Sequence, residues 1–211
     1  CFISPDGVAT NLSRKLDWLI AEYAYADADA SIVLLADDAL SASLTLERNL
    51  EISSTGDVSV AVAPTACFEV PDGCALSLTG VTFSRDDVTE DADGAQTTWR
   101  NRGLFNVTGG ELMLGAGVKV QDLIGTSSGL DDLNSGAINV MQGKVTLTGG
   151  AEITGCQVRS TINSPRQGGG GGVFLKGEGC DLVLDGCCIS NCCVQSLVFT
   201  SGKARRSRFR A

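Results

Sequence analysis

Apolar residues in this chain come in short bursts at alternate positions, the period of a strand with one buried face. The bursts themselves recur. After Gly103 come Leu104, Phe105 and Val107, then Leu112 and Leu114, then Gly117, Val118 and Val120. After Gly136 come Ala137, Ile138 and Val140, then Val145 and Leu147, then Gly150 and Ile153. After Gly172 come Val173, Phe174 and Leu175, then Leu182 and Leu184, then Gly186 and Ile189. A diverged copy precedes them in Phe68, Val70, Leu76, Leu78, Gly80, Val81 and Phe83, and the lead residues Phe68, Phe105, Ile138 and Phe174 lie 37, 33 and 36 positions apart. Each copy predicts three short strands joined by turns rich in Gly, Thr and Asp, with Gly109-Gly110 and Gly149-Gly150 at strand ends. No such strand hides its apolar side alone. Stacking copies about 4.8 Å apart buries a continuous column of Val, Leu, Ile and Phe. The expected architecture is therefore all-β, a parallel β-solenoid, because the turns are too short for crossover helices. A β-sandwich is the alternative, since alternation alone does not fix strand pairing.

Upstream, Ile32 to Leu35, Leu44 to Leu46, Leu50 to Ile52 and Val58 to Val62 add four strands and about one further coil. Leu12, Leu16, Leu19, Ile20 and Tyr23 fall at helical spacing, with Asn11 and Ser13 as candidate caps, so residues 11–27 read as one amphipathic helix. A helix laid across the open apolar end of the first coil is a natural cap. Asp17, Glu22, Asp27 and Asp29 make its polar side acidic, which argues against a membrane-surface helix. The expected organisation is a cap over 1–31, coils over 32–199 and a ragged basic end over 200–211, where the pattern stops as if further coils were missing.

Composition excludes several classes. With 43% hydrophobic and 19% charged residues the chain is too apolar for disorder, and its longest aliphatic run, Ile32 to Ala36, is far too short to insert in a membrane. The net charge of −9 has the wrong sign for neutralising nucleic acid. Five basic residues lie in 203–211, leaving 11 basic against 25 acidic residues over 1–202, a net of −14. With no histidine, Ser-His-Asp triads, Cys-His pairs and Cys/His zinc sites are all excluded. The chain opens on Cys1, which reads as a trimmed end, with a lipid-modified cysteine as the alternative.

Three long inserts, Ser84–Arg102, Gln121–Ser135 and Thr154–Gly171, follow the third strand of their copies and so are expected in a row along one side. The first carries Asp86, Asp87, Asp91, Asp93, Trp99, Arg100 and Arg102; the second Asp131 and Asp132; the third Arg166. An exposed Trp99 beside Arg100 and Arg102 suits stacking on a sugar ring while arginine pairs with uronate or sulfate; covering the coil below is the alternative. The carboxylate pairs Asp86-Asp87 and Asp131-Asp132 are on the same side, but adjacent loop residues point apart, against an acid/base pair for glycoside hydrolysis. Asp91 to Gly94 resembles half a calcium loop whose twelfth position holds Arg102 rather than Glu, so no cofactor is expected, with calcium as the alternative. Gly168 to Gly172 lacks the Lys and Ser/Thr of a phosphate loop and reads as a flexible return.

Nine cysteines include Cys187, Cys188, Cys192 and Cys193 within seven residues, without the paired spacing of a structural zinc site. Cys156 and Cys192 each lie twenty residues after their opening glycine and should stack in neighbouring coils, within disulfide reach. Small buried turn residues are the competing reading.

The runs from Ser135 to Val140, Gly143 to Gly150 and Gly171 to Phe174, followed by Ile153-Thr154-Gly155-Cys156 or Ile189-Ser190-Asn191-Cys192, resemble the repeats of bacterial surface adhesins with a right-handed parallel β-helix. They are similar in particular to polymorphic outer-membrane-protein and autotransporter-passenger repeats over roughly residues 32–199. The resemblance implies a secreted or surface-displayed, non-enzymatic module that presents loops to a host or extracellular-matrix glycan or protein. Pectate lyases and polygalacturonases share the solenoid. A polysaccharide-active enzyme and a purely structural spacer are therefore the rival expectations.

Overall fold

A computed structural model describes residues 2–3, 9–10, 15–25, 28–85, 103–127, 135–160, 170–200 and 203–210. Two short strands, β1 (Phe2–Ile3) and β2 (Ala9–Thr10), precede the helix α1 (Leu16–Tyr25). Then follow β3 (Ala30–Leu34), β4 (Asp38–Leu40), β5 (Leu44–Thr45), β6 (Leu50–Val62), β7 (Phe68–Pro71), β8 (Ala75–Arg85), β9 (Phe105–Leu114), β10 (Lys119–Gln121) and β11 (Ile124–Ser127). The remainder is β12 (Ile138–Thr148), β13 (Glu152–Thr154), β14 (Gln157–Ser160), β15 (Val173–Leu175), β16 (Cys180–Asp185), β17 (Cys188–Ser190), β18 (Cys193–Thr200) and β19 (Lys203–Arg210). The fold is all-β in its bulk, with one helix.

Pairing is parallel along three ladders. In the first, Leu44, Phe68, Phe105, Ile138 and Val173 lie side by side on β5, β7, β9, β12 and β15. In the second, Ile32, Ile52, Leu78, Leu114, Leu147 and Leu184 align. In the third, Asp38, Val60, Phe83, Val120, Ile153 and Ile189 align. Strands β6, β8, β9 and β12 each serve two ladders, because the chain bends without ending the strand. The expected Gly109-Gly110 strand end is thus an internal bend of β9. Before the copy that opens at Phe68, one member enters the first ladder (Leu44) and two enter the second and third (Ile32 and Ile52, Asp38 and Val60), the extra one in the third because Asp38–Leu40 is a strand that its single inward apolar residue did not announce.

The shared register explains the core. Ile32, Ile52, Leu78, Leu114 and Leu147 are all fully buried, each burial contributing about 1.5–3 kcal/mol gross. Phe68 stacks on Phe105 with ring centroids 5.6 Å apart, while Phe83 meets Phe105 edge-on at 5.7 Å. At the last member of the column Leu184 is 53% exposed, since β16 pairs only with β12. Phe174 departs from its expected place. Val173, not Phe174, lies opposite Ile138, so Phe174 falls opposite Asn139 and Gly171 takes the opening position assigned to Gly172. A slip of one residue moves every side chain to the other face, and Val173 is accordingly the residue packed on the core.

Gly80, Gly117, Gly150 and Gly186 occupy one turn in successive copies with φ of 72°, 72°, 84° and 60°, values that favour glycine. Helix α1 buries Leu16, Leu19, Ile20 and Tyr23 and packs against β3 and β4; Asn11 and Ser13 lie outside the described residues. Its first turn is capped from another element, the Leu16 N–H donating to Asp38 Oδ2 at 2.7 Å. The Tyr23 hydroxyl donates to the Arg48 carbonyl at 2.6 Å, and the Arg48 guanidinium lies 5.2 Å from the Tyr23 ring centroid. Both chain ends cover a strand edge antiparallel, β1 against β3 and β19 against β18. The segment expected as a ragged basic end is therefore a strand over Lys203–Arg210. No helix among the described residues is long and apolar enough to cross a membrane.

Candidate functional site

The inserts return to the stack at aligned points. Chain leaving after Arg85, Ser127 and Ser160 re-enters just before Phe105, Ile138 and Val173, which share one ladder. Polar bonds fix these entries. The Asn139 amide donates to Asn106 Oδ1 and the Asn106 amide to the Gly103 carbonyl, both at 3.1 Å and both buried. Buried Ser135 donates its hydroxyl to the Gly172 carbonyl at 3.0 Å, and the Gly136 and Ile138 N–H groups donate to the Gly171 and Gly172 carbonyls. Buried hydrogen bonds of this kind fix one geometry rather than several. The signal for Asn106 and Asn139 in the sequence is their recurrence at one phase, each following its lead residue, Phe105 or Ile138.

Asp86, Asp87, Asp91, Asp93, Trp99, Arg100, Arg102, Asp131, Asp132 and Arg166 lie outside the described residues. The described parts of the second and third inserts are not loop throughout. They open with β11 and β14, which pair in parallel with each other, β14 pairing in turn with β18, to form a second sheet in the order β11-β14-β18-β19. Residues with φ near +60° turn the chain into each of these strands: Asp122 at 58°, Gly155 at 67° and Asn191 at 54°. Asp, Gly and Asn are the residues that tolerate this conformation best.

The residue after each such turn points into a shared corner. Leu123, Cys156 and Cys192 are successive members, tied by the Gln157 N–H to the Leu123 carbonyl at 2.8 Å and the Cys193 N–H to the Cys156 carbonyl at 3.1 Å. Cys156 Sγ bonds the Val120 and Thr154 carbonyls and Cys192 Sγ the Ile153 and Ser190 carbonyls, and the structure holds both as free thiols. Cys156 is fully buried and Cys192 half-buried. Their protons are unequal. The hydrogen bond from Cys156 lowers Cys192 to about 7, while the same bond and then burial raise Cys156 well above the usual thiol value. Gly171 and Gly172 run directly over this corner, where a Cβ on Gly172 would touch Cys192 Sγ and one on Gly171 would strike the Cys193 backbone. Those glycines are thus packing residues against the thiols. Among the described residues no group of three or more Cys, Asp or Glu side chains is placed to hold a metal ion. Compared with family models, curated proteins and solved structures, the chain matches none of them.

Proposed function

We propose that this chain is a right-handed parallel β-helix acting as an adhesin-like module, secreted or displayed on a bacterial surface, without catalysis of its own. The observation that carries this reading is the alignment of Phe105, Ile138 and Val173, which returns three inserts to the stack at neighbouring points of one ladder. Inserts held in a row on a rigid support raise each other's effective concentration at a repeating ligand, so weak contacts sum without new chemistry. The first insert supplies Trp99, Arg100 and Arg102, an aromatic face with two guanidinium groups, which suits acidic sugars.

The test uses surfaces of heparin, hyaluronan, polygalacturonate, fibronectin and collagen, with the whole chain and a variant in which residues 86–102 are replaced by a Gly-Ser linker. The reading expects binding to at least one surface, lost in the variant while its thermal midpoint stays that of the parent. Retained binding in the variant removes the insert from the account. Binding to none of the surfaces favours a spacer, and calcium-dependent release of unsaturated sugars from polygalacturonate favours a lyase.

A further inference from the structure

We propose that Cys156 and Cys192 form a directional thiol–disulfide exchange site that locks two neighbouring copies of the repeat together, with Cys192 as the attacking sulfur and Cys156 as the resolving one. The geometry comes first. Cys156 and Cys192 immediately precede the paired residues Gln157 and Cys193 on adjacent parallel strands. Adjacent strands lie about 4.8 Å apart, inside the Cα separation of about 4.4–6.8 Å that a disulfide spans. Both side chains face the same corner, where Cys156 packs in the core cluster with Cys192 against it and Cys192 Sγ donates to the Ser190 carbonyl at 3.3 Å. The two sulfurs differ in access. Cys156 is enclosed, bonding the Val120 and Thr154 carbonyls, whereas Cys192 is half-buried in a copy whose strands β16 and β17 have no further strand on their outer side among the described residues. The lowered thiol of Cys192 suits attack, since an attacking sulfur works best with its pKa near ambient pH.

The co-reactant is a low-molecular-weight disulfide such as oxidised glutathione. Cys192 thiolate attacks one sulfur of that disulfide, forming a mixed disulfide while the other sulfur leaves as a thiolate and takes a proton. Cys156 then loses its proton to solvent and attacks Cys192 Sγ. The mixed S–S bond breaks, the Cys156–Cys192 bond forms, and the second small thiol leaves and is protonated. Two cysteines are oxidised and one small disulfide is reduced to two thiols. Cys67 bonds Ser43 and Glu69, Cys74 the Leu46 carbonyl and Cys180 the Val140 carbonyl.

The inference is independent of the adhesin reading, and its test uses no glycan or matrix ligand. The folded full chain is treated with oxidised glutathione, quenched with an alkylating agent and mapped by peptide mass spectrometry. The expected product in the unmodified sequence is one linked peptide pair joining Cys156 to Cys192, short by the mass of two hydrogens. In Cys156→Ser the reaction should stall with glutathione on Cys192, and in Cys192→Ser incorporation at Cys156 should be slower by about tenfold or more. Disulfides joining Cys192 to Cys187, Cys188 or Cys193 instead, no linked pair at all, or equal labelling of Cys156 and Cys192 in the two variants would overturn the proposal. The mapping of the unmodified sequence decides the pairing even if a serine variant does not fold.

Discussion

Phe105 sits where the fold concentrates its packing, with Phe68 stacked on one face and Phe83 edge-on. Phe105→Ala is expected to cost about 3–5 kcal/mol in a denaturant titration, the usual range for emptying an aromatic site. Leu184→Ala, at an inward position of the neighbouring ladder but 53% exposed, should change stability by only about 0.5 kcal/mol. Equal effects at the two positions would contradict the assigned end of the column. The thiol corner gives a second residue-scale expectation. Since the bond from Cys156 lowers Cys192 to about 7, its thiolate fraction at neutral pH exceeds that of an ordinary cysteine. Its alkylation rate should reach half of its plateau near that pH, and Cys156→Ala, which removes the donor, should move the midpoint upward. An unshifted midpoint in Cys156→Ala would remove Cys156 as the cause.

At the scale of elements, α1 is held by tertiary partners rather than by its own sequence. Its ten residues are too few to be stable alone, and Asp38 supplies the cap that its own first turn lacks among the described residues. Asp38→Ala should cost about 0.5–2 kcal/mol and selectively reduce hydrogen-exchange protection in residues 16–25, measured by mass spectrometry. Uniform loss of protection across the chain would mean that the carboxylate supports β4 rather than the helix. The apolar face of α1 and the recurring turn glycines Gly80, Gly117, Gly150 and Gly186 were legible in the sequence, because each obeys a local rule of period or conformation. Strand lengths were not, because β6, β8, β9 and β12 bend while keeping their ladder bonds. Strands β11 and β14 were hidden behind Asp122 and Gly155, residues that read as loop signals but serve here as tight corners. The slip at Val173 has a similar origin, since a run of five glycines carries no phase from which to count.

For the whole molecule, the repeat converts local alternation into parallel register, and register in turn sets both the buried columns and the points where inserts return. The proximity of Cys156 and Cys192 follows from their equal spacing of three residues after the paired Ile153 and Ile189, whereas the count of twenty from Gly172 is one short because Gly171 opens that copy. The insert residues were readable only as chemistry, because loop composition does not fix where a side chain points. A methyl-labelled sample observed by nuclear Overhauser spectroscopy tests the register most directly. The account predicts cross-peaks linking Leu114 to Leu147, Leu147 to Leu184, Val120 to Ile153 and Ile153 to Ile189. Absence of these contacts, with methyl contacts instead between residues of antiparallel neighbouring strands as a β-sandwich would place them, would contradict it.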